Sequence, residues 1–303
     1  MANFKTSIGG QALIEGIMMK GPFKTAIAVR CPDGTINVKV ENTKPNKFKS
    51  IPILRGMAGF FDSLTTGYKS LMHSANVAMV EEEPTKFENW LEKKLGKKSG
   101  DFIAYVAGVM GAGLSLVLFM ILPTMITGFI ARFIELGAFK AAVEGALKLA
   151  IFLSYLFLIS RLEDVKRVFS YHGAEHKTIA CFEAGDELTV ENVRKYRRFH
   201  PRCGTSFLLI ILVVSIIIFS FVPWHTTFGR VGLKLLCLPL VVGVSYEILK
   251  LTGRYDNFVT RAVAAPGMWF QHLTTNEPDD SMIEVAIKAT NEVIPQSKED
   301  AKW

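Results

Sequence analysis

The sequence predicts a polytopic α-helical membrane protein that has four transmembrane helices and a small α+β cytoplasmic module. Half of the 303 residues are hydrophobic, and the mean hydropathy of +0.27 is high for a soluble protein. Long uncharged runs occur only after about residue 100. A bilayer needs such runs of about 18 residues or more, whereas the core of a soluble protein rarely does. The Lys and Arg residues concentrate between these runs.

Four apolar segments are predicted to span the membrane, namely residues 102–126, 142–160, 206–224 and 231–249. At a rise of about 1.5 Å per residue, each can cross a hydrocarbon core that is roughly 30 Å thick. Each must be helical, because only a helix satisfies its own backbone groups in lipid. The second segment is the least apolar, since Glu144 and Lys148 lie near its start.

The distribution of Lys and Arg predicts the orientation of these spans. Residues 1–101 contain 15 Lys and Arg, residues 161–205 contain nine, and residues 250–303 contain six. The two remaining connections, within 102–160 and within 206–249, hold few. By the positive-inside rule, the three basic segments and both termini face the cytoplasm. We therefore expect these segments to form one module. The first residues lack the pattern of a cleavable signal peptide.

Several local patterns predict the elements of the module. "TAIAVRCPDGTINVKVEN" predicts a β-hairpin, with Asp33 and Gly34 at its turn. "GGQALIEGIMMKGP" is strand-like; its glycines could let the backbone approach a ligand, although turns in a small sheet are the simpler interpretation. Residues 51–80 predict one or two helices. The charged run that follows predicts a short amphipathic helix. The tail predicts a helix broken at Pro266 and an amphipathic helix that begins near Asp280.

The central segment contains "YHGAEHKTIACFE", in which two histidines flank a glutamate. On a helix, His172 and His176 share a face because they are four residues apart, and Glu175 lies beside them. This H-x-x-E-H pattern is the reverse of the zincin motif. Imidazole binds zinc and similar cations, and the carboxylate can take a proton from water. A simpler alternative is that both histidines are polar residues at the lipid headgroups, paired with Glu175 or with phosphate.

The same segment ends in "RFHPRCGTSF", where His200 and Cys203 have a spacing that can also close on a metal ion. The candidate metal ligands are therefore His172, His176, His200 and Cys203, with Glu247 as a rival third ligand and Glu183 as a weaker candidate. Four N and S ligands would make a closed structural zinc site. Three would leave a position for water, with Glu175 as the general base. Zinc is the favoured divalent cation, while manganese and iron stay open. Because the four cysteines show no C-x-x-C pattern, we expect reduced thiols.

An anion site is also predicted where the third span begins. Backbone N–H groups at a helix N-terminus favour negative charge, and basic side chains adjoin them. The candidate residues for a lipid phosphate or a substrate anion are Arg202, Gly204, Thr205 and Ser206. Contact of the nearby arginines with anionic lipid headgroups is an equally good interpretation. The net charge of +7 fits such contact, and we expect no direct binding to nucleic acid.

The chain resembles the YqhQ-like family of bacterial membrane proteins, a family of unknown function. The matching stretches are "GGQALIEGIMMKGP", "YHGAEHKTIACFE", "RFHPRCGTSF" and "EPDDSMIEVAI", so the resemblance covers nearly the whole chain. The family is described as predicted metal-dependent enzymes. The resemblance implies a protein of the bacterial inner membrane, with a metal site built on His172, Glu175, His176, His200 and Cys203.

Three classes of function fit these patterns. The first is a metal-dependent hydrolase that cuts a membrane-associated substrate, either a peptide bond or a lipid headgroup ester, at the cytoplasmic face. The second is a zinc-stabilised scaffold or assembly factor whose basic face docks a ribosome or a translocon. The third is a transporter for an ion or small solute, which the few charges within the spans make less suitable.

Overall fold

The computed structural model describes residues 4–43, 48, 50–78, 99–223, 226–255, 257–297 and 300. Its elements are mostly helical, with one four-stranded antiparallel sheet. The chain divides into two compact units. Unit 1 comprises Met1–Met79, Leu156–Ser215 and Leu238–Trp303, and unit 2 comprises Val80–Tyr155 and Ile216–Cys237.

The sheet has the strand order β1-β2-β3-β4, and every neighbouring pair is antiparallel. Its strands are β1 (Gly9–Leu13), β2 (Gly16–Lys20), β3 (Lys24–Arg30) and β4 (Ile36–Asn42). The predicted hairpin is confirmed as β3 and β4, which pair from Lys24 with Asn42 to Arg30 with Ile36. Gly34 has a φ of 84°, a backbone conformation that glycine adopts without steric penalty.

Helices make up most of the remaining elements, and several of them are longer than 16 residues. The helices are α1 (Leu54–Ala78), α2 (Ser99–Leu116), α3 (Leu122–Ile130), α4 (Lys140–Ile159), α5 (Glu163–Ala184), α6 (Val190–Arg194), α7 (Gly204–Ser220), α8 (Thr227–Arg254), α9 (Phe258–Thr274) and α10 (Asp280–Val293). A π-helical turn, Val117–Ile121, joins α2 to α3. The side chain of Asp279 accepts a hydrogen bond from the N–H of Met282 at 3.0 Å, which caps α10 as its sequence predicts.

The two central strands of the sheet, β2 and β3, are buried on both faces. Ile17, Met19, Ala26 and Ala28 pack on one face against α5 and α10. The alternate residues Met18, Ile27 and Val29 point the other way, towards the end of α1. Because successive strand residues point to opposite faces, a strand covered on both sides needs a continuous apolar run. The runs "GIMM" and "TAIAV" in β2 and β3 meet this need.

Among the described residues, three helical segments are long and apolar enough to cross a membrane, namely Tyr105–Ile130, Lys140–Ile159 and Thr227–Arg254. They correspond to the first, second and fourth predicted spans. The third predicted span is helix α7, which is strongly apolar but only 17 residues long. Part of unit 2, residues 80–98, lies outside the described residues, and so does the short amphipathic helix predicted there.

One prediction about the tail is wrong, because α9 is not broken at Pro266 but runs through it. A proline removes one N–H donor and leaves the carbonyl four residues earlier, at Ala262, without its helical partner. Both Ala262 and Pro266 are exposed, so that carbonyl does not lie in the packed interior. Gly267 and Phe270, on the other side of the helix, are buried and hold α9 in place.

Gly173 is the tightest glycine contact next to the candidate site. A Cβ atom at this position would lie 2.1 Å from the backbone oxygen of Asn276, in the linker between α9 and α10. Gly173→Ala should therefore lower the free energy of unfolding by about 1–3 kcal/mol, since the backbone of the linker must move. Gly59→Ala is the matched control, because a Cβ on this α1 glycine meets nothing within 4 Å. Thermal unfolding of both variants tests the prediction; equal midpoints would contradict it.

Candidate metal centre

The residues of the H-x-x-E-H motif lie in the middle of α5, as their spacing predicts. His172 and His176 are one turn apart, and their ring centroids are separated by 4.3 Å. Helix α5 ends at Ala184, and the next residue, Gly185, caps its C-terminus with a φ of 85°. The buried positions Tyr171, Ala174 and others on this helix fix its rotation against the sheet. The two histidines consequently point away from that core, towards the turn before α7.

That turn carries Cys203 into contact with the histidines. The Sγ atom of Cys203 is 3.1 Å from Nε2 of His172. One donor atom from each of His172, His176 and Cys203 lies within 4.8 Å of the other two. In the described part of the chain, these three residues form the group of His, Cys, Asp and Glu whose spacing suits a metal ion. The donor atoms thus come from two segments, α5 before α6 and the turn before α7 after it.

Hydrogen bonds to backbone carbonyls determine which nitrogen of each imidazole is available to bind a metal ion. Nδ1 of His172 lies 2.8 Å from the oxygen of Thr274, and Nδ1 of His176 lies 2.6 Å from the oxygen of Arg198. A carbonyl can only accept, so each Nδ1 carries a hydrogen and donates it. In the neutral ring, the lone pair is then on Nε2. This arrangement is the usual second-shell support of a metal-binding histidine.

The Nε2 atom of His176 is buried and has no hydrogen-bond partner among the described residues. The His176 side chain as a whole is buried, with a relative exposure of 1%. Buried polar atoms are nearly always satisfied, so an unsatisfied one calls for an explanation such as an ion or an ordered water. The adjacent thiol of Cys203 makes an ion the better explanation, because imidazole nitrogen and thiolate sulfur are both strong zinc donors.

The electrostatics of the Cys203–His172 pair favour the thiolate. Burial would raise the pKa of Cys203, but the nearby His176 and His172 outweigh burial and bring this pKa well below its usual value. Burial would likewise lower the pKa of His172, yet the neighbouring Cys203 raises it to about 9. The two effects have one origin, the attraction between a positively charged His172 ring and a negatively charged Cys203 sulfur. The thiolate is the form of cysteine that binds metals and acts as a nucleophile.

Glu175 lies beside the three donors and is held by the sheet. Its Oε1 atom accepts a hydrogen bond from the N–H of Gly10 in β1 at 3.0 Å. Its Oε2 atom is buried and has no hydrogen-bond partner in the described part of the chain, and burial raises the pKa of this carboxyl group. A Cβ on Gly10 would come within 3.0 Å of the Glu175 carboxyl carbon. Gly10 therefore lies in a strand rather than a turn and leaves room for the Glu175 carboxyl group, whereas a Cβ on Gly9 would meet nothing within 4 Å.

His200 and Glu183 form a second buried group rather than joining the three donors. Nε2 of His200 is 3.7 Å from Glu183, and the ring centroid of His200 is 5.6 Å from that of His176. The Glu183 carboxylate also accepts from Arg202 and, at 2.7 Å, from the N–H of Thr6. Although burial would raise the pKa of Glu183, these donors lower it, so the charged form persists inside the protein.

Glu247 lies outside the group of three donors. Its carboxylate accepts from Nε of Arg55 at 2.8 Å and from the N–H of Ile53 at 3.1 Å. The structure therefore does not bring the rival third ligand to His172 and His176. Its proposed role as a ligand has no geometric support in this arrangement.

The predicted anion site is partly engaged within the fold. Arg202 binds Glu183 and donates to the oxygen of Thr6 at 3.1 Å. At the start of α7, the N–H of Thr205 points to the sulfur of Cys203 at 3.4 Å, and the N–H of Ser206 donates to the oxygen of Cys203 at 3.1 Å. Gly204 is exposed. The helix N-terminus thus faces the sulfur of Cys203, whose lowered pKa favours the negatively charged form. Binding of an external anion stays a prediction.

Gln271 is a structural residue of the site that the sequence did not reveal. It is fully buried, and its side chain accepts from the N–H of His200 at 2.8 Å and donates to the oxygen of His200 at 2.7 Å. Through these bonds α9 fixes the turn that carries Cys203. The signal in the sequence was weak: a lone Gln beside Phe270 on an otherwise apolar helix face.

Comparisons with known proteins show the family to which the chain belongs. A family model described as "Protein of unknown function (DUF1385)" matches residues 51–296. The "Uncharacterized protein YqhQ" of Bacillus subtilis (strain 168) is 35% identical over 291 residues, which is 94% of this chain and 92% of that protein. No solved structure matches. The resemblance suggested by the four sequence stretches is confirmed, and the chain belongs to the DUF1385 family, whose function is unknown.

Proposed function

We propose that this protein is a metal-dependent hydrolase of the bacterial inner membrane, in which His172, His176 and Cys203 hold one divalent cation. The observation that carries the proposal is the buried, unpartnered Nε2 of His176 beside a second imidazole and a thiolate. Ligands of a tetrahedral zinc ion at about 2.0–2.3 Å are roughly 3.5 Å apart, so a small inward movement suffices. Zinc suits this N, N and S donor set best.

The three donors leave a fourth position for water or substrate, as in catalytic zinc sites. A cation held there would act as a Lewis acid, which lowers the pKa of water and polarises a carbonyl or phosphoryl oxygen. Glu175 supplies the general base, because its Oε2 atom is buried and unpartnered while Gly10 holds Oε1. The raised pKa of Glu175 suits a group that takes up a proton and later returns it.

We further propose that the site works at the cytoplasmic face, on a peptide bond or a lipid headgroup ester. Cys203 immediately precedes α7, which we take as the third of four spans. At 17 residues α7 rises about 26 Å, close to the thickness of a hydrocarbon core. The three basic segments then share the cytoplasmic side with both termini, next to anionic headgroups.

Hydrolysis by purified full-length protein tests the proposal. The protein, loaded with zinc in detergent, is incubated with fluorogenic peptides and with phospholipid headgroup esters. We expect hydrolysis of one of these classes, its loss when a chelator removes the metal, and its recovery when zinc is restored. Hydrolysis that survives complete removal of the metal would contradict the proposal.

The burial of the donors favours a second candidate, the zinc-stabilised scaffold. His172, His176 and Cys203 have relative exposures of only 9%, 1% and 6%. A structural site is closed to solvent, whereas a catalytic site must admit substrate. In that case the metal ties the turn before α7 to α5, and the basic surface docks a ribosome or a translocon. Folded, zinc-loaded protein without any turnover, combined with metal-dependent thermal stability, would select the scaffold.

A further inference from the structure

Helix α1 in unit 1 exposes its large apolar side chains and buries its small ones. Phe61, Leu64 and Tyr68 have relative exposures of 61%, 53% and 46%. Because they are three and four residues apart, they form one stripe along the helix. The buried residues of α1 are all small, namely Gly56, Gly67, Ser70 and Ser74. This arrangement is the reverse of that on a helix in water, whose apolar side chains face the core.

The exposed apolar surface extends to the start of α1. Leu54 is the first residue of the helix and has a relative exposure of 42%, and Ile51 before it has one of 45%. A single exposed apolar side chain is common on a soluble protein and needs no explanation. Five of them in one short segment indicate a surface that contacts a partner or a membrane.

The start of α1 packs on α8, a helix that is long and apolar enough to cross a membrane. A Cβ on Gly243 would overlap the side chain of Ile53, and a Cβ on Gly56 would overlap that of Tyr246. Glycines at such contacts let helices approach closely, as they do inside bilayers. Gly243 lies roughly 16 Å before the end of α8 at Arg254, which is about half the thickness of a hydrocarbon core.

Glu247 on α8 provides the hydrogen-bond acceptor and the negative charge that the start of α1 needs. Its carboxylate accepts from the N–H of Ile53 at 3.1 Å and from Nε of Arg55 at 2.8 Å. The N–H groups at the start of a helix have no partner within that helix, and lipid offers them none. A charged side chain at membrane depth must likewise be paired. The contact with α8 meets both needs.

On either side of this contact, the chain is attached to the sheet. The N–H of Thr43, just after β4, donates to the oxygen of Phe23 at 2.8 Å. Further along α1, a Cβ on Gly67 would lie 2.5 Å from the side chain of Gln11 in β1. Between these points lies Ile53, whose φ of 66° is unusual for a β-branched residue. The chain therefore leaves the sheet, reaches α8 at Ile53 and returns to the sheet through α1.

We propose that residues 51–68 form a re-entrant membrane element, which enters the leaflet at the C-terminal end of α8. In this position Leu54, Phe61 and Leu64 contact the acyl chains of phospholipids, while the small residues of α1 face the protein. The same stripe would also suit a second copy of the chain, but its continuity with the surface of an apolar span favours lipid. The proposal relies on α8 as a span and is independent of the metal centre.

Photochemical cross-linking of the full-length protein in phospholipid nanodiscs tests the proposal. The photoreactive analogue p-benzoylphenylalanine replaces Phe61, and mass spectrometry of the intact protein detects a light-dependent gain of one phospholipid. We expect this adduct at position 61. The analogue at Val213, an exposed residue of α7, should also give it, whereas the analogue at Asn37, an exposed residue of β4 near the β3–β4 turn, should not.

Two results would overturn the proposal. The first is a lipid adduct at Val213 without one at position 61, which would leave the span in the membrane but place α1 outside it. The second is a cross-linked dimer in place of the lipid adduct at position 61, which would assign the stripe to a second copy of the chain.

Substitutions at the same position give an independent test by thermal unfolding in nanodiscs. Phe61→Leu keeps the apolar surface and should leave the unfolding midpoint unchanged. Phe61→Asp places a charge among acyl chains and should lower the midpoint by several degrees, whereas Asn37→Asp, the control for an added charge, should not. Substitutions on a surface in water have small effects. Equal midpoints for Phe61→Leu and Phe61→Asp would therefore contradict the proposal, and the cross-linking result decides if Phe61→Asp does not fold.

Discussion

Replacing His176 by alanine is expected to remove the metal from the purified protein. The Nε2 atom of His176 is buried without a partner, and the remaining donors would be one imidazole and one thiolate. Loss of a second-shell partner alone weakens a metal site by about 10–100-fold, so loss of a ligand should exceed 100-fold. Elemental analysis of detergent-purified protein should fall from about one zinc ion per chain to below about one tenth.

Two further histidines make this prediction specific. His272 is exposed and contacts the backbone oxygen of Trp269, so His272→Ala should retain the metal. His200→Ala should retain most of it as well, because the structure pairs His200 with Glu183 rather than with the three donors. Equal metal content in His176→Ala and in the unmodified protein would contradict the site. Loss of metal in His200→Ala would instead indicate four ligands.

Glu175→Gln is expected to abolish turnover without removing the metal. The amide has nearly the shape of the carboxylate, and its oxygen can still accept the hydrogen bond from Gly10. It cannot take a proton from water, however, and loss of a general base typically slows a reaction by about 10²–10⁴-fold. The measurement is the hydrolysis rate per bound zinc, with the substrate class identified by the assay of the unmodified protein.

The matched control for this variant is Glu163→Gln, an exposed acidic residue in the first turn of the same helix. It should leave both the metal content and the rate unchanged. If Glu175→Gln keeps its full rate, Glu175 is not the base. If Glu175→Gln loses the metal, the carboxylate acts as a ligand, and the three-donor description needs revision.

The local parts of this structure were predictable from the sequence. The periodicity around His172 and His176 predicted α5, and their spacing placed both rings on one face. The Asp33–Gly34 turn predicted the β3–β4 hairpin, and Asp residues predicted the start of α10. Cys203 was among the candidates because H-x-x-C spacing is a recognised ligand pattern. In each case the signal lies within a few residues of the feature.

Contacts between distant segments were not predictable in the same way. The oxygen of Thr274 orients His172 from 102 residues away, and the N–H of Gly10 holds Glu175 from 165 residues away. The partner of Glu247 is Arg55, which is 192 residues distant. No local sequence pattern predicts such pairs. A carboxylate near a helix end can either bind a metal ion or pair with an arginine. For Glu247, the packing of α1 against α8 determines which of these occurs.

An X-ray absorption spectrum of the unmodified, detergent-purified protein tests the central claim most directly. The claim is that His172, His176 and Cys203 share one metal ion. It predicts a first shell of two imidazole nitrogens and one sulfur at about 2.0–2.1 and 2.3 Å, completed by one lighter atom. A protein that binds no metal, or a first shell without sulfur, would contradict it.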